Sequence, residues 1–258
     1  MLLSEMLLEL QNIAKTNNIL NIFIVGGFPR DKAFGLAGEI RDIDITTGDE
    51  HCLALAMAAS DHWADANFRI YDDGHASLDF KNITMDFSNN FILPGIEEEL
   101  KNIGIENPND LEKELYSRDF TINTLLQPMN LQEPPFDVTG KAISDIKNKI
   151  LRTPVNAELT IGHDAKRILR AIRLAIKFDL KIEDDIKEAI IKYRGGISEL
   201  SINHIKKQVN QMLRMNSDKT IELLSEFKLL PIVPLSKLMI LESTKKHMVQ
   251  NLLDSWEF

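Results

Sequence analysis

Cysteine is nearly absent from this sequence: Cys52 is the only one among 258 residues. A single thiol cannot form an intrachain disulfide and has no C-x-x-C partner, which excludes a disulfide framework and a cysteine-based zinc site. Long uncharged apolar runs are also absent, so no transmembrane helix is predicted. The first residues carry Glu5 and Glu9 and lack both a basic leader and a small-residue cleavage site. We therefore predict no signal peptide and expect a cytoplasmic protein.

Hydrophobic residues make up 44% of the chain and charged residues 27%, a composition typical of globular proteins. At this length we expect one large domain or two modest ones. The net charge of −9 argues against a surface that is basic throughout. Residues 1–140, however, hold 9 Lys and Arg against 24 Asp and Glu, whereas residues 141–258 hold 21 against 15. Such a split suits an acidic region that binds metal ions followed by a basic region that meets phosphates, and also suits an ordinary solvated surface.

The first part of the chain mixes helical and strand patterns. In chain order, these patterns predict a helix over residues 4–14, a buried strand over ILNIFIV, a short helix through Ala33, a strand over RDIDITT, a helix over residues 50–60, and strands over HASLDF and NITMDF joined by a turn at Lys81 and Asn82. From Asp110 onward the pattern becomes helical, except at PPFDVTG, where prolines and a glycine indicate a loop or a short strand.

These patterns predict an α+β fold in two domains. We expect residues 1–145 to form a small mixed or antiparallel sheet flanked by helices. Residues 146–258 are expected to be all-helical, because the spacing of Ile168, Ile172 and their neighbours gives an apolar stripe along one helix face and similar patterns follow.

Candidate chemistry begins with Asp42 and Asp44, which are two apart in a predicted strand and therefore project on the same side. Carboxylates so placed can share a hard cation such as Mg²⁺, although two solvated turn residues would give the same string. Gly26 and Gly27 follow a predicted strand and precede a helix, where backbone N–H groups can approach phosphate oxygens. Arg30 adds a forked cationic donor, and Asp86 offers a third carboxylate. This combination is typical of two-metal phosphoryl transfer.

The chain resembles class II tRNA nucleotidyltransferases and bacterial poly(A) polymerases, members of the polymerase-β-like nucleotidyltransferase superfamily, from about residue 22 to residue 215. The matching segments occur in the family's order: VGGFPRD resembles GGxVRD, RDIDITT carries the DxD pair, MDF takes the place of the third acidic residue, SRDFTINTLL resembles RRDFTINAL, FDVTGKAISDIKNKILRTP resembles the D..G..DL....LR segment, and HDAKRILRAIRLAIKF resembles the EDxxR helix. The resemblance implies a polymerase-β-like nucleotidyltransferase head over residues 1–145, followed by a helical neck and a shortened body.

The resemblance also implies roles for individual residues in the head. Asp42, Asp44 and Asp86 would be the catalytic set that holds two Mg²⁺ ions. The nucleotide would be bound through its triphosphate and ribose by Gly26, Gly27, Arg30, Asp31, Arg118, Asp119 and Asn123, with Asp31 ordering the glycine loop and Asn123 in a supporting role. The family's first arginine of RRD is replaced by Ser117 in this chain, which removes one phosphate donor.

Base selection is implied for Asp164 and Arg167, three apart and expected on one helical face. A carboxylate acceptor and an arginine donor would read the edge of cytosine or adenine, which favours CTP and ATP as substrates. His163 stands where the family has glutamate, a departure that bears on how sharply the nucleotide is chosen.

The implied RNA partner is tRNA, held at its acceptor stem and 3′ end. The basic residues predicted to follow its backbone are Lys166, Arg170, Arg173, Lys206 and Lys207. A solvated helix surface is an equally good interpretation of each one alone. The apolar segment from Leu235 to Leu253 is expected to cap the shortened body, with pairing to a second copy or to an auxiliary partner as the alternative.

The sequence thus predicts a template-independent RNA nucleotidyltransferase that adds CMP and AMP to tRNA 3′ ends as a CCA-adding enzyme. A poly(A) polymerase, or an enzyme that adds only A or only CC, is the alternative within the same chemistry. A non-catalytic nucleotide- or RNA-binding remnant is the alternative outside it.

Overall fold

The structure is a computed structural model that describes residues 2–36 and 40–233. The chain divides into two compact units, Met1–Lys147 and Asn148–Phe258. The apolar segment from Leu235 onward, predicted to cap the body or to pair with a partner, lies outside the described residues. Among the described helices, none combines the length and the apolar character that crossing a membrane requires.

The first unit is built on a seven-stranded mixed sheet. Its strands are β1 (Phe23–Val25), β2 (Asp42–Thr46), β3 (Asn67–Ile70), β4 (Ala76–Phe80), β5 (Ile83–Phe87), β6 (Leu125–Pro128) and β7 (Phe136–Asp137). Their order in the sheet is β3-β4-β5-β2-β1-β6-β7. Strands β2 and β5 are parallel, and the other neighbours are antiparallel. The predicted α+β class with a small mixed sheet is confirmed.

Within the described part of this unit, the sheet is accompanied by a 3-10 helix at Thr121–Asn123 and by the α-helices α1 (Leu3–Thr16), α2 (Gly27–Ala33), α3 (Cys52–His62), α4 (Ile96–Asn102), α5 (Asp110–Tyr116) and α6 (Ala142–Asn148). Helix α5 begins with a capping box, in which the Asn109 side chain accepts from the Glu112 N–H and the Glu112 carboxylate accepts from the Asn109 N–H, both at 2.9 Å. These two hydrogen bonds satisfy N–H groups that have no partner within the helix and mark where α5 begins.

The two faces of β2 have opposite character, as its alternating sequence predicts. Ile43 and Ile45 are 1% and 0% exposed and belong to a core that also contains Leu10 of α1 and Leu55 of α3. The intervening aspartates are exposed. Burial of the isoleucines therefore sets the register of β2 and places its carboxylates on the solvent side, because a slip of one residue would exchange the faces.

Several predicted elements are confirmed, including α2, α3 and the hairpin β4–β5. The hairpin turns at Lys81 and Asn82, with φ of 51° and 65°, the left-handed values that a tight two-residue turn requires. The helical prediction after Asp110 is wrong at Leu125–Pro128, which forms β6 and pairs with β1. A run of four residues carries too little periodicity to separate a strand from a helix, and sheet pairing decides it.

The second unit is mainly helical. Its helices are α7 (Ala157–His163), α8 (Lys166–Phe178), α9 (Asp184–Tyr193), α10 (Ile202–Met215) and α11 (Ser217–Glu226). The expectation of an all-helical region needs one correction, because β8 (Ile150–Leu151) and β9 (Lys181–Ile182) form a short parallel pair. The predicted apolar stripe of α8 is buried, with Ile168 and Ile172 both 0% exposed.

Cys52 behaves as a core residue. It is 2% exposed, and its Sγ–H donates to the Ile45 carbonyl at 3.4 Å. Burial raises the pKa of this thiol to about 12. Because the thiolate is the reactive form, we expect iodoacetamide to alkylate the folded protein at least about 100-fold more slowly than the protein unfolded in guanidinium chloride. Equal labelling rates, followed by mass spectrometry, would contradict this assignment.

Candidate active site

The predicted catalytic aspartates lie on adjacent parallel strands. Asp44 of β2 is the direct neighbour of Asp86 of β5, and Asp42 stands opposite Thr84 two residue pairs earlier in the ladder. Asp42 and Asp44 share the exposed face of β2, as the alternation predicts. Because residues opposite each other in adjacent strands point to the same side, the register brings Asp44 and Asp86 side by side.

The predicted Mg²⁺ ions require oxygen ligands, and these carboxylates are of the type that Mg²⁺ prefers. Within residues 2–36 and 40–233, however, no three His, Cys, Asp or Glu side chains are arranged closely enough to hold a metal ion. Thus the chemistry of the donors fits the ion, while the assignment of two ions to Asp42, Asp44 and Asp86 stays a prediction.

Gly26 makes the closest approach at this site. It has φ of 75° and ψ of −121°, a conformation essentially restricted to glycine. A Cβ atom placed on Gly26 would lie 2.5 Å from Oδ2 of Asp44 and 3.5 Å from Nη1 of Arg118. The Gly27 N–H donates to the same Oδ2 at 3.5 Å. The absence of a side chain at Gly26 is therefore what leaves room for a carboxylate and a guanidinium at this bend.

A polar network connects α2 with the SRDFTIN segment. Nε of Arg30 donates to Oδ1 of Asp31 and its Nη1 to Oδ1 of Asn123, both at 2.7 Å. The Asn123 amide in turn donates to Oδ1 of Asp119 at 2.7 Å. The structure therefore joins four predicted nucleotide-binding residues into one chain of hydrogen bonds, which restricts the rotamers of each.

Arg118 and Asp119 have different surroundings. Nη2 of Arg118 donates to Oε1 of Glu114 at 2.9 Å, while Nη1 faces the Gly26 bend. Asp119 is 5% exposed, and its carboxylate also accepts the Phe120 N–H at 2.9 Å. In this arrangement Arg118 lies at the Gly26 bend, which Asp44 also contacts, whereas Asp119 is buried and orders the segment from within. Direct nucleotide contacts by either residue remain predictions.

Sequence reasoning did not identify Glu114, although it is 3% exposed and contacts Arg118. The available signal was its spacing, four residues before the arginine, which places an acid and a base on one side of a helical turn.

In the second unit, the expectation that Asp164 and Arg167 share a helical face is wrong. Asp164 precedes α8 with extended backbone angles, and its Oδ1 accepts the Lys166 N–H at 2.9 Å. Its carboxylate satisfies an N–H of the first helical turn, which has no partner within the helix. Arg167 is 8% exposed, and its Nη1 donates to the Thr160 carbonyl at 3.3 Å. His163 is exposed at the end of α7.

The predicted RNA-binding residues occupy α8 and α10. Lys166, Arg170 and Lys207 are exposed, whereas Arg173 and Lys206 are half-buried. Two of these basic residues also act on α10. The pKa of His204 in that helix is lowered, first by burial and then by the positive charges of Lys166 and Arg170. A surface of this kind attracts phosphates, and the assignment of these residues to RNA binding stays a prediction.

Several known proteins are similar to this chain in sequence or in fold. Residues 22–152 match the family model described as the poly(A) polymerase head domain. The tRNA nucleotidyltransferase cca2 of Schizosaccharomyces pombe is 25% identical over 197 residues, covering 70% of this chain and 40% of its own. A CCA-adding enzyme of Staphylococcus aureus is 26% identical over 225 residues, covering 84% and 52%.

Among solved structures, the Thermotoga maritima CCA-adding enzyme complexed with tRNA has a similar fold, with a TM-score of 0.67 and 24% identity, covering 88% of this chain and 51% of its own. This chain therefore spans about half the length of the relatives it matches. Since the head-domain match takes in half of the chain, including the glycine bend and the aspartate strands, the chain belongs to the family of class II tRNA nucleotidyltransferases and bacterial poly(A) polymerases.

Proposed function

We propose that the protein is a template-independent RNA nucleotidyltransferase that builds or repairs the CCA end of tRNA from CTP and ATP. The RNA 3′-hydroxyl attacks the α-phosphate, the bond from that phosphorus to the bridging oxygen breaks, and pyrophosphate leaves. The observation that supports this most strongly is the bend at Gly26, where a carboxylate and a guanidinium meet a glycine with no room for a Cβ atom.

In the first unit, the carboxylates and the arginines are proposed to have different roles. Mg²⁺ ions, when bound by Asp42, Asp44 and Asp86, would supply positive charge for the attacking and leaving oxygens. The guanidinium of Arg118 offers donors to the triphosphate at the Gly26 bend. Arg30 is proposed to meet the triphosphate as well, and its pairs with Asp31 and Asn123 hold α2 in place.

Base selection is proposed for Asp164 and Arg167 of the second unit. The carboxylate of Asp164 accepts a hydrogen bond from the exocyclic amine of cytosine or adenine. Arg167 orients that carboxylate or donates a hydrogen bond to an acceptor of the base ring. In the structure the Asp164 carboxylate already holds the Lys166 N–H, so its orientation is set before a nucleotide binds.

Replacing Asp164 by asparagine tests this role. Asparagine keeps an acceptor for the Lys166 N–H but adds an amide donor that suits a carbonyl edge. We expect the preference for CTP and ATP over UTP and GTP to fall by about 10- to 100-fold. The measurement is kcat/KM for each of the four nucleotides on one RNA acceptor.

Ser201→Ala is the matched control, because Ser201 caps α10 by accepting the His204 N–H at 3.2 Å. It removes a helix cap from the same unit without changing a proposed base contact, so nucleotide preference should stay as in the parent protein. Unchanged preference in Asp164→Asn would contradict the role of Asp164.

Further parts of the proposal concern partners and location. Lys166, Arg170, Arg173, Lys206 and Lys207 are proposed to follow the acceptor-stem backbone, which predicts affinity for tRNA that falls with salt. A second copy or an auxiliary protein that binds the apolar segment from Leu235 to Leu253 is also proposed, as the alternative to that segment capping the body. The cytoplasm is the proposed location, since tRNA ends and nucleotides meet there.

The decisive experiment uses tRNA transcripts that end before CCA, after C and after CC, each incubated with Mg²⁺ and one labelled nucleotide. Two C additions followed by one A support the proposal. Open-ended A addition identifies a poly(A) polymerase, and a stop after CC or after a single A identifies a partial enzyme. Binding of tRNA without any incorporation supports a non-catalytic remnant and overturns the proposal.

A further inference from the structure

Glu114 is a buried acid whose carboxylate is fully engaged. It lies on α5 and is 3% exposed. A charged group in such a position is costly unless it is paired and hydrogen-bonded. Its Oε1 accepts from Nη2 of Arg118 at 2.9 Å and from the Ser88 hydroxyl at 3.0 Å, and its Oε2 accepts from the Thr46 hydroxyl at 2.5 Å.

Two of these partners stand at the ends of the aspartate strands. Thr46 is the last residue of β2, two positions beyond Asp44, and Ser88 follows β5, two positions beyond Asp86. The Ser88 N–H also donates to the Ile45 carbonyl at 2.8 Å, which extends the parallel ladder. Because side chains two apart in a strand lie on the same face, Glu114 joins the two strands on the face that carries the carboxylates.

The third partner is the arginine at the glycine bend. Glu114 holds Nη2 of Arg118, while Nη1 lies 3.5 Å from the position of a Cβ atom on Gly26. Nε of Arg118 is buried and has no hydrogen-bond partner among the described residues. Glu114 therefore supplies the carboxylate that orients this guanidinium, and without it a long side chain would regain several rotamers.

We propose that Glu114 is a positioning residue for nucleotide transfer, which acts by holding Arg118 at the Gly26 bend and by tying together the strands that carry Asp44 and Asp86. The proposal rests on the proposed function for its reaction. Glu114 lies outside the glycine, DxD and SRDFTIN segments, and under this proposal it positions the side chains that those segments contribute to the site.

The variant Glu114→Gln tests this role, since glutamine keeps the size and loses the charge that pairs with Arg118. We expect kcat/KM for CTP to fall by about 10- to 100-fold, while KM for the RNA acceptor changes by less than about twofold. Affinity for CTP with Mg²⁺ and no RNA, measured by calorimetry, should fall about 10-fold. This second readout requires no transfer, so it decides the role of Glu114 even if the proposed reaction fails.

A double-mutant cycle separates positioning from simple stabilisation. In an Arg118→Ala background, Glu114→Gln should lower CTP affinity by less than about twofold, because the group through which it acts is already gone. A purely structural role would give the same loss in both backgrounds. Glu114→Asp, which keeps the charge on a shorter side chain, serves as the second variant and should give an intermediate CTP affinity.

Glu97→Gln is the matched control. Glu97 also pairs with a basic residue of α5, at 2.9 Å from Lys113, but its side chain is 62% exposed. Its loss should leave CTP affinity and transfer within about twofold of the parent, as expected for an exposed ion pair. The proposal is overturned if Glu114→Gln, folded by circular dichroism, binds CTP as tightly as the parent, or if its effect persists undiminished without Arg118.

Discussion

Replacement of Asp44 by alanine is expected to lower nucleotide transfer by at least about 1000-fold. Asp44 has three features that no other described carboxylate combines. It lies on the exposed face of β2, it stands directly opposite Asp86 in the strand register, and it contacts the glycine bend. Its loss removes a metal ligand in the proposed reaction and leaves the Gly27 N–H without this acceptor. Single-turnover incorporation of CMP into a tRNA lacking CCA is the measurement.

Stability should hardly change in this variant, because Asp44 is exposed and its hydrophobic neighbours in β2 are untouched. We expect the free energy of unfolding, measured in urea, to change by less than about 1 kcal/mol. Asp61→Ala is a suitable control, since Asp61 is an exposed acid on α3 of the same unit, and it should transfer CMP at the parental rate. A fully active Asp44→Ala protein would refute the metal assignment.

Replacement of Gly26 by alanine is expected to reduce transfer by at least about 100-fold, for a steric reason. The new Cβ atom would meet Oδ2 of Asp44 at 2.5 Å, and alanine is strained at φ of 75° and ψ of −121°. Either the carboxylate moves away or the bend opens, and both displace groups from the proposed site of the α-phosphate. We also expect the free energy of unfolding to fall by about 1–3 kcal/mol.

Gly95→Ala distinguishes backbone strain from the clash. Gly95 has φ of 85°, and a Cβ atom placed on it would meet nothing within 4 Å. Its substitution should cost stability through the left-handed backbone, about 1 kcal/mol, yet leave transfer within about twofold of the parent. If both glycine variants lost activity equally, the contact between Gly26 and Asp44 would not be the cause.

Local chemistry made much of the first unit predictable. Alternation in RDIDITT predicts both the strand and the common face of Asp42 and Asp44, because the apolar residues of a half-buried strand must all turn inward. The turn at Lys81 and Asn82 was equally predictable. Strand β6 was not, because its pairing with β1 decides its structure. The extended backbone at Asp164 was not either, because it depends on the hydrogen bond from the Lys166 N–H to the Asp164 carboxylate.

The sequence by itself determined which residue types this site contains: glycines that allow a sharp backbone turn, carboxylates on one face of a strand, and arginines with several hydrogen-bond donors each. Those properties follow from residue type and short-range periodicity. Only the tertiary structure decided that Asp44 neighbours Asp86 across a parallel pair and that Glu114 connects both strands to Arg118. The pair of Glu114 with Arg118 is local, but its contacts with Ser88 and Thr46 join residues 26 and 68 positions apart. Such contacts depend on how strands pair and helices pack, and no local pattern encodes that choice.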